Sequence, residues 1–156
     1  MANWYGAARS NYFRVKDEEA FKEEMADLAG VDVRHRDEPA PPAACGGAAD
    51  PNAPTVRRFA IFDDYGEGWP APTRDVFDEE GDRVGEEELD LFDLVASHLA
   101  EGEVAVFQEA GAEKQRYVTG FALAVNHTGD TITVDIDDIY DKVEAAGWPK
   151  PTRASR

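Results

Sequence analysis

Hydrophobic and polar positions along this chain change period several times, and each change marks an element. Between Asn11 and Lys16, Phe13 and Val15 alternate with Tyr12 and Arg14, which predicts a half-buried strand. From Phe21 the period lengthens. Phe21, Met25, Leu28 and Ala29 stand at i, i+4, i+7 and i+8, one face of a helix. Asp17 is placed to cap that helix, with Glu18 and Glu19 at the positive end of its dipole and Gly30 as its stop. Val31, Val33 and His35 alternate again, predicting a second strand, and Val56 to Phe62 predicts a third.

Beyond Phe62 the pattern breaks into an acidic, glycine- and proline-rich region that runs to about Gly85. A helix is expected from Glu86 to Ala100, with Leu89, Phe92, Val95, Ala96 and Leu99 inward and Gly102 beyond its end. Strands follow at Val104–Gln108 and at residues 116–126, joined by a loop at Gly111. A turn at His127-Thr128-Gly129-Asp130 leads to a strand over Thr131–Ile136. A last helix, about Asp137 to Ala146, is expected to bury Ile139 and Val143.

The succession is therefore β-α-β-β-α-β-β-β-α. That predicts an α+β domain with a mainly antiparallel sheet and two to three helices on one face. Its first six elements match the ferredoxin-like order. A length of 156 residues fits one domain. Five of the nine prolines lie between Glu38 and Thr55, amid Ala and Gly, so about 38–55 is expected to be an exposed loop.

Charge changes the picture more than composition does. Sixteen basic and 33 acidic residues give −17, and residues 63–103 hold 15 acids against only Arg74 and Arg83. The chain ends lean the other way, with Arg9, Arg14 and Lys16 near the start and Lys150, Arg153 and Arg156 near the finish. Such a field repels nucleic acid and anionic membrane and attracts basic protein surfaces. General solubility or a salty cytoplasm explains acidity equally well, and five Lys against eleven Arg fits the second. No apolar run approaches the ~18–20 residues of a membrane span, and the single Cys45 has no partner for an internal disulfide. Both observations point to the cytosol.

Catalytic chemistry has little to stand on, and a small hydrolase or ligand binder built on the 63–70 loop with Tyr65 and Trp69 stands only as a third reading. His35, His98 and His127 sit in no nucleophile–base signature, and Cys45 lacks neighbours that would lower its pKa. Asp135, Asp137, Asp138 and Asp141 lack the glycine and closing Glu of a calcium loop, so helix capping accounts for them better. No zinc spacing and no phosphate loop is present; no cofactor is expected.

The positive signal is the acidic region. Asp63, Asp64, Glu67, Asp75, Asp78, Glu79, Glu80 and Asp82 precede the expected second helix; Glu86, Glu87, Asp90 and Asp93 open it. Closely spaced carboxylates imitate the charge density of DNA, about one per 1.7 Å of axis, and so can occupy a basic nucleic-acid groove. Tyr65 and Trp69 are candidate anchors for such a partner, or else pack against the sheet.

Asn3-Trp4-Tyr5-Gly6, Arg9-Ser10-Asn11-Tyr12-Phe13-Arg14-Val15-Lys16-Asp17, Gly102-Glu103-Val104-Ala105-Val106-Phe107 and Arg116-Tyr117-Val118-Thr119-Gly120 carry a resemblance. The chain resembles small acidic proteins encoded on bacterial plasmids, phages and integrated elements, over most of its length except the Pro/Ala loop. The resemblance implies an accessory gene of the kind that often inhibits host defence, such as restriction or CRISPR complexes, and implies no catalytic residues.

Overall fold

The computed structural model describes residues 4–40, 52–113, 117–149 and 151–152. Its elements are β1 (Trp4–Ser10), α1 (Glu18–Ala26), β2 (Val31–Pro39), β3 (Thr55–Asp63), β4 (Thr73–Phe77), β5 (Arg83–Glu88), α2 (Leu91–His98), β6 (Val104–Glu113), β7 (Tyr117–Asn126), β8 (Thr131–Asp135) and α3 (Asp138–Ala145). Six strands form one sheet in the order β2-β3-β1-β6-β7-β8, with every neighbouring pair antiparallel. The fold is thus α+β with a mainly antiparallel sheet and three helices. A ferredoxin-like core is not assigned: the sheet runs to six strands, and a separate β4–β5 ribbon interrupts the expected succession.

Strand alternation decides where the core lies. Phe59 and Ile61 of β3, Ala105 and Phe107 of β6, and Val125 of β7 share one face. Phe21, Met25 and Leu28 from α1 and its C-terminal turn close over that face, with Leu91, Val95 and Ala96 from α2 and Leu99 just beyond it. Phe13, Phe21, Phe59 and Phe107 are fully buried, and each removes ~2–3 kcal/mol worth of apolar surface from water. Asp17 caps α1 as its sequence position suggests, accepting from the Glu19 and Ala20 N–H groups.

Several elements depart from expectation. The first strand lies earlier than the alternation at 11–16, where only Phe13 and Val15 make isolated bridges, to Phe59 and Leu99. Asn11 is the reason. Its side chain accepts from the Val106 N–H and donates to the Val104 carbonyl, standing in for one step of backbone pairing while the chain leaves β6. Buried Ser10 then spans the β1–β3 seam, its hydroxyl accepting from the Ile61 N–H and donating to the Asn11 carbonyl.

Strands β2 and β3 pair as far as Pro39 and Thr55, so the intervening loop is shorter than 38–55. Cys45 and most of that loop lie outside the described residues. Gly111 sits inside β6, opposite Thr119, rather than in a turn. The Glu86-to-Ala100 helix is also corrected. Residues 86–88 are strand, because Asp90 has an extended backbone (φ −82°, ψ 113°) and caps α2 by accepting from the Phe92 and Asp93 N–H groups. Finally, α3 buries no residue; Ile139, expected to face the core, is 55% exposed.

Candidate functional site

The acidic region folds into a ribbon. β4 and β5 pair from Thr73↔Glu88 to Phe77↔Arg83, with a bulge after Val76, and form a two-stranded sheet apart from the main one. Every residue of the two strands except half-buried Gly85 is exposed. At its tip Asp78 accepts from the Glu80 and Asp82 N–H groups, an aspartate-closed turn that holds Glu79, Glu80 and Asp82 outward.

The pairing sets Asp75 opposite Glu86, a destabilising like-charge pair for a ribbon this small. Arg83 resolves it by pairing with both, at 2.7 Å to Asp75 and in close contact with Glu86. The hydrogen bond to Asp75 raises the Arg83 pKa above its ordinary value, with charge from both acids adding to it. The expected line of Glu86, Asp90 and Asp93 on one helix does not form, since the first belongs to β5 and the second is the cap of α2.

Residues 63–70 form the link from β3 to the ribbon. Asp63 accepts from the Tyr65 and Gly68 N–H groups and is spent on shaping the turn. Gly68 (φ +101°) runs so close to Glu109 that an added Cβ would fall 2.8 Å from its carboxylate, and Glu109 also accepts from the Trp69 N–H at 2.9 Å. Trp69 is half-buried, and its ring packs edge-on against Phe107 at 5.1 Å and Phe92 at 6.3 Å. Tyr65, 66% exposed, is open to a partner together with Asp64 and Glu67.

Of the predicted carboxylates, then, Asp63, Asp78 and Asp90 are engaged by backbone N–H groups, and Asp75 and Glu86 by Arg83. Asp64, Glu67, Glu79, Glu80, Asp82, Glu87 and Asp93 are exposed, and among the described residues no basic side chain pairs with them. Glu88 joins them on β5.

The ribbon's inner edge meets α1 at a half-buried polar cluster that residue patterning did not reveal. His98, 8% exposed at the end of α2, donates from Nε2 to Glu24 at 2.5 Å, and Arg74 of β4 reaches the other Glu24 oxygen. The His98 hydrogen bond holds the Glu24 carboxyl below its usual pKa against the opposing push of burial, and Arg74 assists. His98 also stacks edge-on with Phe21, at 5.5 Å, so it braces the ribbon against the core.

A second cluster lies near the β6 end of the fold. Glu103 accepts from the Arg14 N–H and Nε, at 3.1 and 2.7 Å, and from Arg58 Nη1 at 3.2 Å. Burial pushes its carboxyl pKa up, but the Arg14 hydrogen bonds and the Arg58 charge outweigh that and leave it lowered. Arg58 Nε lies 3.1 Å from Glu38 without hydrogen-bond alignment.

Around Asp135 the carboxylates close a turn: Asp138 accepts from the Asp135 N–H and Asp135 from the Asp137 N–H. Asp137 holds the cap position of α3 without a side-chain cap bond. Among the described residues no group of three or more His, Cys, Asp or Glu side chains is arranged to hold a metal ion. Nor is any described helix long and apolar enough to cross a membrane.

The sheet face turned away from α1 and α2 carries a trough of about 720 Å³. Small residues floor it where β1, β6 and β7 run side by side, with Ala7 opposite Ala110 and Ala110 opposite Gly120. No family model matches the chain, and no curated protein or solved structure matches it either.

Proposed function

We propose that the chain is a non-enzymatic acidic binding protein that offers the β4–β5 ribbon to a basic, nucleic-acid-binding protein surface. The reading extends to an inhibitor of a restriction or CRISPR complex carried by a mobile element. The observation that supports it best is the ribbon itself, a projecting element whose exposed carboxylates outnumber its two arginines. Residues two apart on a strand, such as Glu86 and Glu88, are about 6.8 Å apart, twice the ~3.4 Å rise per phosphate of one DNA strand. Glu79, Glu80 and Asp82 at the tip supply the densest charge and Tyr65 an aromatic contact nearby in the chain.

The test is retention of a nucleic-acid-binding complex from a bacterial lysate at low salt, competed with duplex DNA. The native chain is expected to retain it, to release it as salt rises and to lose it to DNA. A variant with Glu79, Glu80, Asp82 and Glu87 changed to Lys is expected to retain none. Equal retention by that variant, or indifference to DNA, refutes the reading.

A second reading is supported by acids away from the ribbon. Glu19, Glu23 and Asp27 are exposed on or just after α1, and Asp141 and Glu144 on α3, as general surface acidity requires. Equally acidic proteins from neighbouring genes would favour that reading over a dedicated face.

A further inference from the structure

A cleft of about 570 Å³ opens at the root of the acidic ribbon, where the chain enters β4 and leaves β5. We infer that this cleft takes an arginine side chain of the basic partner. The inference rests on the reading of the ribbon as the partner-binding arm and names the side chain that arm selects. Its size lies within the ~300–1,000 Å³ of ligand pockets. Three aromatic rings from separate parts of the fold line it: Trp69 from the link between β3 and β4, Phe92 from the first turn of α2, and Phe121 from β7. All three are half-buried, so each keeps part of its ring open. Phe92 stands nearly at right angles to both neighbours, 6.3 Å and 82° from Trp69 and 6.4 Å and 81° from Phe121.

The charge around these rings has one sign. Glu88 at the end of β5, Asp90 at the cap of α2, and Glu109 opposite Phe121 line the same cleft, and among the described residues no Lys, Arg or His does. Glu109 is held in place by the Trp69 N–H, which it accepts through Oε2. Among the described residues no basic side chain pairs with Glu109 or Glu88, and Asp90 is engaged only by the N–H groups it caps. Aromatic faces are electronegative and attract a cation within about 6 Å of the ring centroid. Rings and carboxylates therefore ask for the same occupant. An anion is repelled, and a purely apolar group would desolvate Glu109 without pairing it. Between the two basic side chains, arginine fits better. Its planar, weakly hydrated guanidinium stacks on a ring while its edge forks to a carboxylate, whereas an ammonium is a compact, strongly hydrated point charge.

The experiment follows the indole N–H signal of Trp69 by NMR in the full chain, identified by its loss in Trp69→Phe. The probes are Nα-acetyl-arginine amide and Nα-acetyl-lysine amide at equal ionic strength. The arginine probe is expected to shift that signal saturably and to leave the Trp4 and Trp148 indoles in place, and the lysine probe to bind at least about threefold more weakly. Glu109→Gln keeps an acceptor for the Trp69 N–H and should weaken the arginine probe at least about tenfold. Phe121→Leu keeps apolar bulk without the ring and should weaken it at least about threefold. An unresponsive Trp69 indole, equal affinity for the two probes, or unchanged affinity in Glu109→Gln overturns the inference. Should Glu109→Gln lose its native amide spectrum, Glu88→Gln on the exposed strand makes the same test of charge. The chain with Glu79, Glu80, Asp82 and Glu87 changed to Lys is expected to bind the arginine probe within about threefold of the native chain, since none of those acids lines the cleft. Failure of the cleft and failure of the ribbon reading are thereby told apart, because the probe reads the first and lysate retention the second.

Discussion

Replacing Glu103 by Gln removes one negative charge from between two arginines and leaves the shape almost unchanged. The Glu103 side chain is 12% exposed and that of Arg58 is 18% exposed, so solvent screens their interaction only partly. Glu103 accepts three hydrogen bonds, two of them from guanidinium groups. Bonds to charged groups contribute about 1.5–3 kcal/mol, and breaking a buried ion pair costs about 3–5 kcal/mol. The half-exposed Arg14 and the acceptor retained by Gln bring the expected loss to about 2–3 kcal/mol at neutral pH. For a domain of this size that lowers Tm by about 4–12 °C.

Urea unfolding followed by tryptophan fluorescence measures it, since Trp69 packs against Phe92 and Phe107 and reports on the core. The pH dependence is the sharper part. The folded carboxyl has a lowered pKa, so its stabilisation is complete above the ordinary glutamate range and is lost as pH falls through the lower folded value. The gap between native chain and variant should therefore be full at pH 7 and narrow as pH falls below the ordinary glutamate range. A gap under about 0.5 kcal/mol at pH 7, or one that persists unchanged to strongly acid pH, refutes the account of this cluster.

Ser10→Ala should destabilise the chain by about 1–3 kcal/mol in the same unfolding assay, because it orphans the buried Ile61 N–H. Arg83→Ala should leave Asp75 and Glu86 facing one another uncompensated, so amide exchange over residues 73–88 should quicken while that of β6 and β7 stays unchanged.

Patterning alone revealed the elements whose apolar residues keep a clear period. Strands β2, β3 and β8 and helix α1 with its Asp17 cap are of that kind. Strand β1 was illegible because Gly6, Ala7 and Ala8 carry almost no hydrophobic contrast; their smallness serves the trough instead. The ribbon was hidden by its own acids. Val76, Phe77 and Val84 mark strands around the Asp78–Asp82 turn, but the run Glu86-Glu87-Glu88 looks like the first turn of a helix. Only the extended backbone of Asp90 decides where α2 begins. The periodicity of α3 was visible, yet periodicity reports an apolar stripe and not what covers it. The Glu24–His98–Arg74 cluster joins residues far apart in sequence, which no local pattern encodes.

The ribbon's attachment has a mechanical consequence. Leu89 alone separates the end of β5 from the cap of α2, and its N–H is tied to the Pro72 carbonyl at the ribbon's other root. A load on the tip is therefore delivered at the base of a helix whose opposite end carries His98 against Glu24. The acidic arm is geared to the interior at both of its roots, so whatever grips it also strains or steadies the packing beneath.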